Sequence, residues 1–268
     1  MDNRPIGVFD SGLGGLTVLK EIVKLMPSES IVYFGDCGRI PYGTKSRETV
    51  IKYSLQDVRF LMTQDIKMVV IACNTASAMS YNMVVEKFDI PVVEVINPGA
   101  IAAVRETKNK KVGIIGTSAT IRSGVYEKNI NKLDSTIETF SKACPLFVQL
   151  VEEGWWENDI ALRIAEEYLA PLREIGIDTL VLGCTHYPLL FNVISKVMGD
   201  SVKLVSSGAE TARVVCDVIG KNVCAGDLEV HPNFKFYTSD SIESFESLGS
   251  EFLGEKIHSP EKIDIEKY

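Results

Sequence analysis

The chain has 268 residues, 46% of them hydrophobic, enough for a sizeable core in one large domain or two modest ones. A formal charge of -8 argues against a nucleic-acid backbone as the main partner. The first residues lack the charged start, apolar core and cleavage site of an export signal, and no apolar run is bilayer-length, so the expected compartment is the cytoplasm.

In chain order, apolar β-branched runs alternate with helical patterns. Strands are expected at residues 5–9, 30–34, 67–72 and 91–96, with helices at 16–26, 44–63, 76–88 and 98–106 between and after them. Ser46 is placed to cap the second helix. The plan then begins again. Strands are expected at 111–115, 178–182 and 202–205, and helices at 124–133, 159–175, 188–198 and 210–218. The helix 159–175 carries apolar Ile160, Ile164, Tyr168 and Leu172. Residues 147–150 read as short and β-like, and the tail adds a strand at 234–237 and a helix at 242–252. Such alternation predicts an α/β fold with mostly parallel, doubly wound sheets.

Two segments of the first half reappear in the second. Ile6-Gly7-Val8-Phe9-Asp10-Ser11 resembles Val112-Gly113-Ile114-Ile115-Gly116-Thr117. Val69-Val70-Ile71-Ala72-Cys73-Asn74-Thr75 resembles Thr179-Leu180-Val181-Leu182-Gly183-Cys184-Thr185. Apolar strands match by chance, but each of these pairs also ends in the same kind of polar turn, which predicts an internal duplication.

Of six cysteines, Cys73 and Cys184 stand at the polar ends of buried strands, just before helices. Ligands bind at strand carboxyl ends in open α/β sheets, and helix N-terminal N–H groups there favour a thiolate. The plainer reading, a core-filling cysteine, suits Cys216 in a helix pattern and Cys224 in a loop. With no export signal and no Cys-x-x-Cys pair, the even count does not imply disulfides. Three histidines make a zinc site improbable.

Two matched thiols answer a particular need. Inverting an amino acid at its α-carbon requires a proton removed from one face and another delivered to the opposite face. One thiolate and one thiol, exchanging roles with direction, serve both faces if their pKa values are tuned. Groups placed to tune them are Asp10, His186 and Glu152. Their plainer readings are a helix cap, a satisfied partly buried histidine and a solvated loop charge. The turn Gly12-Leu13-Gly14-Gly15 lacks both the dinucleotide and the P-loop spacing, though its N–H groups could hold a carboxylate.

These segments resemble the glutamate racemases of bacterial cell-wall synthesis. The likeness runs through Phe9–Gly15, Tyr33–Asp36, Pro41–Gly43, Ala72–Ala78, Cys144–Phe147, Val151–Gly154, Leu182–Leu189 and Ser207–Ala212, in the family's order. It implies cofactor-independent interconversion of L- and D-glutamate, supplying D-glutamate to peptidoglycan, by a homodimer without membrane or nucleic-acid partners. It further implies two pseudo-symmetric domains, 1–97 with 207–268 and 98–206, with substrate between them. Cys73 and Cys184 match the acid/base pair. Asp10 matches the group supporting the first thiol, and Glu152 and His186 those supporting the second. Asp10, Ser11, Pro41, Tyr42, Gly43, Asn74, Thr75, Thr185 and His186 match substrate-contacting positions. Cys37 stands where threonine is common. Glu94, Asn97 and Ser206 also depart from the common pattern, and none touches the catalytic pair. An aspartate racemase and a non-catalytic amino-acid-binding protein are the alternatives on the same scaffold.

Overall fold

A computed structural model describes residues 2–220 and 232–268; Cys224 lies outside them. The first half runs β1 (Ile6–Asp10), α1 (Leu16–Leu25), β2 (Ile31–Gly35), α2 (Arg47–Met62), β3 (Met68–Ile71), α3 (Asn74–Lys87), β4 (Val92–Glu94) and α4 (Ile96–Glu106). The second continues with β5 (Lys111–Gly116), α5 (Ser118–Ser123), α6 (Val125–Leu133), β6 (Glu138–Ala143), α7 (Leu146–Glu152) and α8 (Asp159–Ile175). Then come β7 (Thr179–Gly183), a 3-10 turn (Tyr187–Leu190), α9 (Phe191–Met198) and β8 (Lys203–Ser206). The chain closes with α10 (Gly208–Ile219), β9 (Phe234–Thr238), α11 (Ile242–Leu253) and β10 (Glu261–Lys262).

The first sheet has the order β10-β9-β2-β1-β3-β4 and the second β6-β5-β7-β8, with every pairing parallel. The run β2-β1-β3-β4 therefore has the same order as β6-β5-β7-β8. The segments matched in sequence, β1 with β5 and β3 with β7, occupy the same central places. Both strands of each central pair are fully buried apart from Lys111, which explains their unbroken apolar runs. Strand order reverses between β1 and β3, and again between β5 and β7, and those reversals open the crevices where α/β sheets bind ligands.

Local chemistry sets several boundaries. Ser46 caps α2, its hydroxyl accepting from the Thr49 amide at 3.3 Å. Glu94 caps α4 by accepting from the Ile96 and Asn97 amides, which gives its side chain a defined structural job. Asn97 takes part in that cap through its amide, while the Ser206 hydroxyl meets the Gly208 amide at 3.5 Å, at the start of α10.

Three expectations need correction, and two elements had no expectation at all. Residues 147–150 are not a strand but the middle of helix α7: Phe147, Val148, Leu150 and Val151 are buried with helical spacing, and only Gln149 breaks the run. In α8 the buried positions are Ala161, Ala165, Leu169 and Leu172, with half-buried Ile164 and Tyr168 packed against the same core; of the expected apolar positions only Ile160, 48% exposed, turns to solvent. The short helix α5 and the half-exposed strand β6 carry no apolar stripe to reveal them. Cys216 packs in the core of the first sheet but is disulfide-bonded, which the cysteine count did not imply.

Candidate active site

Cys73 follows β3 and caps α3, its sulfur accepting from the Ala76 amide at 3.4 Å and meeting the Ser11 hydroxyl at 3.5 Å. Cys184 follows β7, and its sulfur lies 3.9 Å from His186 Nδ1. Both thiols line one cavity between the sheets, with Ser11, Pro41, Tyr42, Gly43, Asn74, Thr75, Thr185 and His186. Asp10 does not line it. Its carboxylate sits behind the cavity, fully buried, accepting from the Gly12 amide at 2.9 Å and the Thr185 hydroxyl at 3.3 Å. Glu152 also stands one layer back. It ends α7 rather than lying in a loop, and accepts from His186 Nε2 at 3.2 Å.

The two halves interlock at this point. Thr185 reaches Asp10 across the crevice, and the Thr17 hydroxyl donates to the Thr185 carbonyl at 3.0 Å. In the other direction Thr75 meets Thr117 at 2.9 Å and Thr120 at 3.3 Å. Glycine is required at two contacts. A Cβ on Gly14 would fall 2.2 Å from Thr185 Oγ1, and one on Gly43 2.7 Å from Thr117 Cβ. Strand-end turns of opposite halves thus pack backbone against side chain.

A sequence profile of the Asp/Glu/hydantoin racemase family matches residues 6–215. A glutamate racemase of Geobacter metallireducens is 49% identical over 263 residues, covering 98% of this chain and 97% of that protein. The chain belongs to the glutamate racemase family. Within that family, a Bacillus anthracis isoform superposes with a TM-score of 0.93 at 41% identity, covering 98% of each chain. A Francisella tularensis glutamate racemase, solved with D-glutamate, superposes at 0.92 with 39% identity over the full length of both. The match to solved glutamate racemases across both halves carries the two-domain α/β architecture of the family with it.

Electrostatics distinguish the two thiols of this family member. Burial pushes Cys73 up to about 12, and the neighbouring Asp10 charge adds to the rise. The helix-terminal amide expected to favour its thiolate is present but loses to burial. Burial also raises Asp10, against the opposing pull of His186 and the Gly12 amide. For His186 burial disfavours the charge, but hydrogen bonds to Cys184 and Glu152 outweigh it and carry the imidazole up to about 10. A cation therefore faces the Cys184 sulfur at neutral pH. Cys37 is outside the cavity lining, and burial holds its thiol up at about 12, so it stays protonated.

Tyr42 lines the cavity with its ring, but its hydroxyl is committed elsewhere. It contacts Asp36 and, at 3.0 Å, Asp57, beside Arg39. Arg39 pairs with Asp36 at 2.7 Å and Asp57 at 2.9 Å and stacks 4.0 Å over the Tyr53 ring. This buried cluster holds the Pro41–Gly43 segment in place.

Sequence reasoning missed Ile40, Thr117 and Val148, which also line the cavity, and Thr120 and Tyr126 behind it. Thr117 had a signal: it is the counterpart of Ser11 in the repeated segment. Among the described residues no group of three or more His, Cys, Asp or Glu is placed to hold a metal ion. Nor is any helix among them long and apolar enough to cross a membrane.

Proposed function

We propose that this protein interconverts L- and D-glutamate, with Cys73 and Cys184 working on opposite faces of the α-carbon. The observation that carries the reading is the pair of buried thiols ending equivalent strands and lining one cavity. One sulfur, as thiolate, accepts the α-proton and leaves its electron pair on the α-carbon. The other, as thiol, gives its proton to the opposite face, so thiol and thiolate exchange places each turnover. The chain's own thiols supply both proton transfers, so the reaction calls on no cofactor.

In the state described here Cys73 holds its proton, and Cys184 faces the His186 cation. The accepting and donating roles pass from one sulfur to the other with the direction of reaction. Glu152 orients His186, as the third member of an activated-nucleophile arrangement orients the base. Asp10 adds to the proton affinity that burial gives Cys73, and ties its own turn to Thr185. Ser11, Asn74, Thr75 and Thr185 offer hydroxyl and amide donors to the substrate's carboxylates. Pro41, Tyr42 and Gly43 form the wall against its carbon chain.

We take residues 1–97 with 207–268 as one domain and 98–206 as the other. We further take the protein to be a cytoplasmic homodimer that feeds D-glutamate to peptidoglycan precursors. Sedimentation tests the dimer, and a monomer at working concentration refutes it. The function is tested by circular dichroism of L-glutamate and L-aspartate incubated with the protein. Glutamate is expected to lose its signal, and aspartate to keep it. Cys73→Ala and Cys184→Ala should each abolish racemisation. Turnover of aspartate alone, or full activity in either variant, would overturn the reading.

A further inference from the structure

Asn74 opens α3 beside Cys73 and is 2% exposed. Its side-chain oxygen accepts from the Tyr126 hydroxyl at 2.6 Å. Its Nδ2 is buried with no hydrogen-bond partner, although the residue lines the cavity. Burying an amide donor without a partner is costly, and such groups persist where a ligand satisfies them.

Tyr126 comes from α6, in the opposite half of the molecule, and is 1% exposed. It is fixed on two sides by glycines. A Cβ on Gly99 would lie 3.1 Å from the Tyr126 hydroxyl, and one on Gly183 3.1 Å from the ring. Ser207 stands at the same spot: the Gly99 Cβ that would meet the hydroxyl would also lie 3.2 Å from Ser207 Cβ. Gly99 lies in the first turn of α4 and Ser207 just before α10, the two places where the chain passes from one sheet to the other. The tyrosine therefore joins both crossovers to one amide in the cavity.

We infer that Tyr126 is a positioning residue for substrate capture: it holds the Asn74 oxygen, so that Nδ2 points at a carboxylate oxygen of the bound amino acid. A hydroxyl that donates to the amide oxygen leaves only the NH2 group free. Without it the amide is free to rotate and present an acceptor to an anion. Because the hydroxyl is anchored at the crossovers, the donor is aimed only while the two halves hold this relative position. This inference rests on the functional reading above.

The test is a double-mutant cycle with Tyr126→Phe and Asn74→Ala, following glutamate racemisation, with melting temperature as the check on folding. Tyr126→Phe keeps the ring and should raise KM about tenfold, the worth of one hydrogen bond to a charged group, while kcat changes little. In the Asn74→Ala background the same change should have no further effect on KM. Asn74→Asp keeps the acceptor for Tyr126 but loses the donor, and should raise KM at least as much as Tyr126→Phe; this variant decides the donor role should Tyr126→Phe fold poorly. Additive effects in the cycle, or an unchanged KM in Tyr126→Phe or Asn74→Asp, would overturn the inference and leave the racemase reading standing. A parent protein that does not turn over glutamate would overturn both.

Discussion

Replacing Gly14 by alanine tests whether the two strand-end turns must meet as closely as they do. The added Cβ would lie 2.2 Å from Thr185 Oγ1 and 2.5 Å from His186 Nδ1, roughly 1 Å short of ordinary contact. Neither neighbour yields freely. Thr185 can rotate only by giving up its bond to Asp10, and His186 is held by Glu152 at its far nitrogen and by the edge-on Phe252 ring. The turns must therefore separate. Overpacking of this kind costs about 1–3 kcal/mol of stability, and a displacement of ~1 Å at reacting groups costs about a hundredfold in rate. We expect Gly14→Ala to fold with a lowered melting temperature and to lose about two decades of kcat/KM for glutamate. Gly208→Ala is the control. There the new methyl meets nothing closer than 3.5 Å, in the first turn of α10, and should be neutral or slightly stabilising. A Gly14→Ala protein with parental melting temperature and turnover would refute the close-contact argument.

Other expectations follow from the same site. His186 binds its proton more tightly folded than unfolded. The stability it contributes is fully present below about 6.5 and is lost as pH rises through about 10. His186→Asn should flatten the decline of melting temperature between those limits, and parallel profiles for parent and variant would contradict the assignment. Arg39→Ala strips the cation from buried Asp36 and Asp57 and should cost about 3–5 kcal/mol in urea unfolding. The same variant should raise KM, because Tyr42 in the cavity wall is tied to that cluster; a variant destabilised but with parental KM would separate the cluster from substrate binding. In either cysteine variant, exchange of the glutamate α-hydrogen with heavy water should survive for one enantiomer at most, and exchange of both would exclude the two-face division of labour.

Much of this was legible because the informative residues lie where the chain has little freedom. The central strands are buried on both faces, so they read as apolar runs, and the polar turn closing each one stands out. Cys73, Cys184 and most cavity residues lie in those turns. What escaped lies where the pattern is weak. Helix α7 presents a short apolar run that periodicity does not separate from a strand, and misreading it left Glu152 in a loop instead of at a helix end. Helix α5 is six residues long, with only Ala119 and Ile121 apolar, and is held by its Thr117 cap, while β6 is an edge strand with one aromatic residue. Tyr126 was invisible for another reason: its role depends on which side chain of the other half meets its hydroxyl, and spacing along one chain does not encode that.

The repeated halves are not equivalent where they matter. Asp10 at the end of β1 corresponds to Gly116 at the end of β5, and Thr75 corresponds to His186, so the two sulfurs stand in unlike surroundings. Mirror-image amino acids have equal free energy in water, so at equilibrium a racemase must leave them in equal amounts. That equality forces kcat/KM to be the same for both enantiomers, however unequal the two sides of the cavity. The asymmetry can surface only as a trade: the enantiomer bound more tightly must be converted more slowly, in proportion.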